Sequence, residues 1–177
     1  QLTKSHSFST KGQFYTVTAT ATNGTETISK EMTIAYPQTS SAATYPGGVP
    51  KQGAVKNSDG TVTFCIAAPG KASVILIPSW DNYQTLDKNV MKYQDYNGFR
   101  YFWVTTTEKL DDSVYYPYYY LVDGTIKVAD PYAKLVLDND NDKSLPEACF
   151  PDMPRYPYEK FSDTMLAVYR GDIDDYE

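Results

Sequence analysis

Residues 114–133, VYYPYYYLVDGTIKVADPYA, limit what this chain can fold into more than any other stretch. Tyrosine and β-branched residues flank Asp123-Gly124, and an Asp-Gly pair between apolar runs is a strong hairpin signal. Both central positions of a type I′ turn need a positive φ, which Asp tolerates and Gly adopts freely. The hairpin is predicted to end at Asp130-Pro131, because Pro131 lacks a backbone donor and fixes φ. Each tyrosine buries a large ring, yet its hydroxyl must stay wet or find an acceptor. A sheet with one packed face and one exposed face able to stack on a planar ligand meets both needs. With 17 tyrosines and 15% aromatic residues, the chain has either a β core rich in strong strand formers or a stacking surface.

The residues before this hairpin read as further short strands. Ala54–Asn57 and Thr61–Ala67 flank a Ser58-Asp59-Gly60 turn, with Val62, Phe64 and Ile66 facing one way. Ala72–Ile77 is apolar on both parities, the pattern of a strand buried on both faces. Val90–Gln94 is a further short strand and Asp95–Gly98 a turn; Phe99–Thr106 then alternates, with Phe99, Tyr101 and Trp103 on one face. If that face is inward, Trp103→Ala costs on the order of 3–5 kcal/mol. No helical period appears, so residues 51–137 are predicted to form an antiparallel, immunoglobulin-like β-sandwich, making the chain all-β.

Both flanks differ in character. Phe14–Ala21 alternates cleanly, turns at Asn23-Gly24, and is followed by a strand from Thr27 to Ala35 that ends at Tyr36-Pro37. Two strands alone are marginally stable in water, so residues 1–37 are expected to pack elsewhere or to be mobile. Residues 38–50, small, polar and rich in Gly and Pro, read as a linker and a domain boundary. Residues 138–177 read as an extended segment, with one last strand over Met165–Arg170. Its acidic end at Asp174–Glu177 shows no capping pattern, as where a longer protein continues.

Several classes of function are disfavoured. A formal charge of −6 offers no footprint for phosphate backbones or anionic membranes, so nucleic acid is not an expected partner. No run of about 18 apolar residues is present, so no membrane insertion is expected, and QLTKSHSFST lacks the apolar core of a signal peptide. At 177 residues the chain is too short for an α/β barrel of about 250 residues. No catalytic pair of carboxylates can be assigned, since acids scattered in loops have no spacing to fix them across a glycosidic bond. Cys65 and Cys149 are compatible with a bridge or with two thiols; two cysteines make no disulfide framework, and free thiols are expected. Asp138, Asp140 and Asp142 have the spacing that starts a calcium loop. Lys143 and Cys149, however, replace the expected Gly and Glu, so a solvated acidic loop is expected and no metal or other cofactor. His6 stands alone and supports neither a metal site nor a catalytic trio. Asn23-Gly24-Thr25 is a glycosylation sequon, meaningful in a eukaryotic secretory setting.

In order along the chain stand Gly60, Phe64, Ala67-Ala68-Pro69-Gly70, the strand Val74–Ile77, Trp80-Asp81-Asn82-Tyr83, Gly98, Tyr118-Tyr119-Tyr120-Leu121-Val122-Asp123-Gly124 and Asp130-Pro131-Tyr132-Ala133. This series resembles a family 48 carbohydrate-binding module, the β-sandwich preceding the barrel in many family 13 glycoside hydrolases of the α-amylase, pullulanase and branching-enzyme type. It is also similar to the glycogen-binding domain of the AMP-activated protein kinase β subunit. The likeness covers about half of the chain. Residues 14–35 resemble the closing strands of an immunoglobulin-like module of the polycystic-kidney-disease type, although only two strands are present where about seven are expected.

The resemblance implies a non-catalytic accessory region of a starch- or glycogen-acting hydrolase, extracytoplasmic by family habit, buttressing a catalytic barrel outside this chain and binding α-glucan weakly. Tyr83 takes the place of the first aromatic platform and Trp80 the aromatic position before it. Asn82 matches a binding asparagine, while Asp81 departs from its partner. Ile126 replaces the second platform and Tyr119 a binding lysine. An isoleucine has no π face for a pyranose, so Tyr119 would have to substitute. Two other readings stay open: the accessory sandwich of a secreted esterase, against which the Asp-Pro-Tyr-Ala ending argues, and a stand-alone interaction module, against which the unterminated tail argues.

Overall fold

A computed structural model of the chain describes residues 5, 7, 14–35, 39–142, 145–146, 148–149, 151 and 153–173. His6, Tyr36-Pro37, Lys143 and the acidic end at 174–177 lie outside the described residues. The described residues are all-β, with antiparallel strands and two short 3-10 turns at Ser79–Asp81 and Asp87–Asn89. In chain order the strands are β1 (Phe14–Thr22), β2 (Thr27–Ala35), β3 (Gly53–Lys56), β4 (Val62–Ala67), β5 (Val74–Pro78), β6 (Lys92–Tyr96), β7 (Phe99–Thr105), β8 (Tyr116–Val122), β9 (Ile126–Val128), β10 (Leu135–Leu137) and β11 (Leu166–Tyr169).

The tyrosine-rich hairpin is β8 and β9. Asp123 and Gly124 hold φ of 49° and 72°, and Thr125 N–H closes the turn on the Val122 carbonyl at 3.1 Å. The turn is held from outside as well, since Asp123 Oδ1 accepts the backbone N–H groups of Ala72 and Ser73 at 2.9 and 3.1 Å. β8 is the hub of a five-stranded sheet in the order β10-β11-β8-β5, with β9 also on β8. A four-stranded sheet runs β3-β4-β7-β6.

The two sheets share one core, consistent with a sandwich. Val62, Phe64 and Ile66 of β4, with Phe102 and Val104 of β7, meet Val74, Leu76, Tyr118, Tyr120, Val122, Ala167 and Tyr169 of the five-stranded sheet. Strand alternation does this, because residues two apart share a face. Two buried tyrosines in a dry core need acceptors. Both hydroxyls donate to Oδ2 of Asp130, from Tyr118 at 2.8 Å and Tyr120 at 3.0 Å, while Asp130 Oδ1 accepts the Tyr132 backbone N–H. The Asp-Pro step that ends the hairpin thus also supplies the core's polar anchor. Cys65 and Cys149 are free thiols, the first buried and the second exposed.

In three segments the packing is set by residues far along the chain. Phe99, Tyr101 and Trp103 do share a face, but it is the outer one, since Phe102 and Val104 point into the core. Trp103 is nonetheless 7% exposed, because the segment expected to be a linker covers it. Tyr45 meets its ring edge-on at 5.9 Å and the Ala43 carbonyl accepts from its Nε1 at 3.2 Å. Ala42 bridges Tyr93 in parallel, so residues 41–43 extend the sheet beyond β6, and Gln94 donates to the Gly48 carbonyl. Residues 41–48, within the stretch that reads as a linker, are therefore packed on this sheet. In the segment from 138, the last strand read over Met165–Arg170 is β11, which inserts between β8 and β10, pairing Ala167 with Tyr118 and Val168 with Pro117.

The N-terminal strands pair along their whole length, from Phe14↔Ala35 to Thr22↔Thr27. Asn23 makes the turn by accepting the N–H groups of Thr25 and Glu26 on Oδ1 at 3.0 and 2.8 Å. Alternation gives this hairpin an apolar face containing Val17, Ile28 and Met32, with Ile28 72% exposed, and a hydroxyl-rich face opposite. It meets the rest of the chain where the Thr85 hydroxyl donates to the Thr33 carbonyl at 3.0 Å.

Candidate functional site

Three of the candidate binding positions, Asn82, Tyr83 and Tyr119, lie at the outer face of the five-stranded sheet. β5 places Ile75 and Ile77 there, and β8 places Tyr119 and Leu121 beside them, since Ile77 pairs with Tyr119 and Ile75 with Leu121. A second apolar cluster forms on this face with Leu137, Leu166, Val168 and Tyr156, and Tyr83 and Phe161 pack against it. The both-parity apolar pattern of residues 72–77 reflects this double burial.

The turn after β5 directs the candidate side chains. Asn82 and Tyr83 hold φ of 54° and 57° in succession, a left-handed pair outside glycine. A bulky residue there carries strain of order 1–3 kcal/mol. Two backbone bonds hold it, Asn82 N–H to the Ser79 carbonyl and Tyr83 N–H to the Pro78 carbonyl, each 2.9 Å, in the nested pattern that commonly closes helical turns. Trp80 and Tyr83 consequently go to different places.

Trp80 turns toward the central core. Its ring lies 5.9 Å from Phe64 and 5.6 Å, edge-on, from Tyr116, and its Nε1 is buried with no hydrogen-bond partner among the described residues. Tyr83 turns to the outer face, where Phe161 meets it edge-on at 4.9 Å. Phe161 also stands edge-on to Tyr119 at 5.7 Å, so one ring joins both tyrosines. Asn82 is exposed, and its Oδ1 accepts from Lys160 Nζ at 2.6 Å. Three of the four candidates, Asn82, Tyr83 and Tyr119, are thereby gathered under residues 160–161, and Trp80 is not among them. Ile126 is 45% exposed at the start of β9.

The electrostatics of the patch follow from burial. Desolvation, with Glu159 nearby, pushes the Tyr83 hydroxyl up to about 12, and desolvation with Asp163 does the same for Tyr119. Both phenols stay neutral donors at ordinary pH. The covering segment is tied down by Lys127 Nζ to Asp163 Oδ1 and Thr164 Oγ1, and by the Tyr156 hydroxyl, which donates to the Thr164 carbonyl at 2.6 Å. Sequence reasoning missed Phe161, Lys160 and Tyr156. Their only signal was aromatic residues set among prolines in MPRYPYEKF, a composition without the periodicity that would assign a face.

The acidic run at Asp138, Asp140 and Asp142 caps its own turn. Asp138 Oδ1 accepts the Asp140 N–H at 2.8 Å and Asp142 Oδ2 the Asp138 N–H at 2.9 Å. The Asp140 N–H leads the causes holding the Asp138 carboxyl below the ordinary carboxylate range. Among the described residues no group of three or more His, Cys, Asp or Glu is arranged to hold a metal ion, and no helix is long and apolar enough to cross a membrane. Comparison with protein-family models and with curated proteins returns no match for the chain.

Proposed function

We propose that this chain is a non-catalytic accessory region of an α-glucan-acting glycoside hydrolase of the α-amylase family, in an extracytoplasmic protein. Its sandwich buttresses a neighbouring catalytic barrel and holds α-glucan only weakly. The order of motifs from Gly60 to Ala133 supports the family assignment. The observation that carries the division of labour is where the aromatic side chains go. Tyr83 and Tyr119, which stand where glucan-binding relatives hold their sugar contacts, are packed against Phe161, and Lys160 takes up Asn82. A side chain engaged on its own tail offers little ring face to a pyranose, and a rigid, tail-braced sheet suits support of a neighbour within the same protein.

The test is to express the gene product reaching beyond Glu177 and assay it on amylopectin, with native gels containing amylopectin run on this chain. Hydrolysis of α-glucan by a barrel-type domain, with slight or no retardation of the isolated chain, supports the reading. A longer product that belongs to another enzyme class overturns the hydrolase assignment. Strong retardation abolished by Tyr83→Ala in a folded variant overturns the buttress role in favour of a working glucan site.

A further inference from the structure

A cleft of about 410 Å³ lies between β3 and the end of β11, with residues 132–134 forming a third wall; of the positions in the family resemblance it takes in Tyr118, Tyr132 and Ala133. That volume is in the range of small-molecule sites. Lys51, Lys56, Lys134 and Arg170 line it, and none of its lining residues is acidic, in a chain whose formal charge is −6. The positive character is therefore local.

The cations are held in place. Lys56 pairs with Asp112 and Arg170 with Asp172 through both Nε and Nη2, while Arg170 also lies over the Tyr115 ring at 4.5 Å. Lys134 Nζ donates to the Ile173 carbonyl at 2.8 Å. Asp112 and Asp172 offset two of the four charges without being lining residues, and Asp112 sits against Gly171. Gly171 keeps Asp112 there, since a Cβ at that position would lie 2.1 Å from Asp112 Oδ1.

Tyr169 adds a neutral donor. It lines the cleft at 8% exposure, and its hydroxyl is buried with no hydrogen-bond partner among the described residues. A buried hydroxyl without a partner is unfavourable, and a ligand acceptor relieves it. The aromatic ring of Tyr132, 58% exposed and fixed by a 2.8 Å bond from Gln52 Nε2 to its hydroxyl, supplies a face for a small ring beside the charges. Ammonium, guanidinium and hydroxyl donors without a lining carboxylate are complementary to an acceptor-only oxyanion.

We propose that this cleft binds a small molecule bearing an oxyanion, a phosphate or a carboxylate, which is received by Lys51, Lys134, Arg170 and the Tyr169 hydroxyl. The experiment is amide NMR titration of the whole chain at low salt with inorganic phosphate, glucose 6-phosphate, glucuronate and neutral glucose. Saturable shifts confined to residues 51–56, 132–134 and 168–173 are expected with at least one anion and not with glucose. A response to the phosphates alone or to glucuronate alone supports the proposal and identifies the anion. Lys51→Ala/Lys134→Ala should weaken binding about tenfold or more, and raised salt should weaken it further. Tyr169→Phe should weaken it several-fold without lowering the melting temperature. Equal shifts with glucose, shifts unchanged in the double lysine variant, or no shifts with any anion would overturn it.

Discussion

The Tyr118 hydroxyl donates to Oδ2 of Asp130 at 2.8 Å, with Tyr118 1% and Asp130 2% exposed, so the core of this β protein is anchored on a carboxylate. Tyr120 shares that oxygen. Asp130→Ala leaves two buried hydroxyls without an acceptor, and each such loss costs about 1–3 kcal/mol. The expected destabilisation is about 2–4 kcal/mol by urea unfolding, with Asp130→Asn, which keeps an acceptor oxygen, costing clearly less. A loss for the alanine variant below about 1 kcal/mol would mean that water replaces the carboxylate.

Alkaline pH should unfold the protein. Burial, followed by the Asp130 charge, lifts the Cys65 thiol from 9.0 to about 12. Burial leads in lifting the Tyr83 and Tyr119 hydroxyls to about 12 from 10.0 and in raising those of Tyr118 and Tyr120 well above it. These groups keep their protons in the folded state at pH values where the unfolded chain gives them up. Stability is therefore full below the unfolded values near 9 and 10 and declines as pH rises through about 12. Melting temperatures measured from pH 8 to 12 check this, and Tyr119→Phe should flatten the decline. A flat profile across that range would contradict it.

Phe161→Ala tests the covering segment. Phe161 is half-buried and bridges Tyr83 and Tyr119, so its removal should cost roughly 1–3 kcal/mol, less than a fully buried phenylalanine. The variant should also uncover both tyrosines and increase retardation in amylopectin gels. Unchanged mobility in a folded variant would show that the uncovered rings do not hold glucan.

Trp103→Ala separates the direction a side chain faces from its burial. Although Trp103 points away from the central core, the cover from Tyr45 and Ala43 makes its loss cost about 3–4 kcal/mol, and Tyr45→Ala should cost about 2–3 kcal/mol. Guanidinium unfolding of both variants and their double gives the coupling. A double variant whose loss equals the sum of the two singles would mean that the rings do not support one another.

Most strands were legible because their signals are local. Val62, Phe64 and Ile66 alternate, Asp123-Gly124 demands a left-handed turn, and Ala72–Ile77 carries apolar residues on both parities. The last pattern even announced a cover over Ile75 and Ile77. What supplies the cover was not legible, because Tyr156 and Phe161 sit in an aperiodic, proline-rich stretch whose placement depends on β11 returning to the sheet. The direction of Trp103 was left open for the same kind of reason. Alternation sorts residues into two faces, yet which face is inner depends on partners far along the chain. At the candidate site, grouping Trp80 with the platform Tyr83 followed their order in sequence, while the left-handed step at Asn82-Tyr83 sends the two aromatic rings different ways.

The late arrival of β11 has a consequence for synthesis. A ribosome releases β8 well before residues 166–169, yet Ala167 is the partner that closes one edge of β8 at Tyr118. Until then the nascent chain presents an open hydrogen-bonding edge and a bare apolar surface at Ile75, Ile77 and Tyr119, the kind of surface that recruits other chains. Closure across so long a stretch is slow by topology. Chains that terminate before Leu166 should therefore aggregate or bind chaperones, whereas chains completed through Tyr169 should remain soluble.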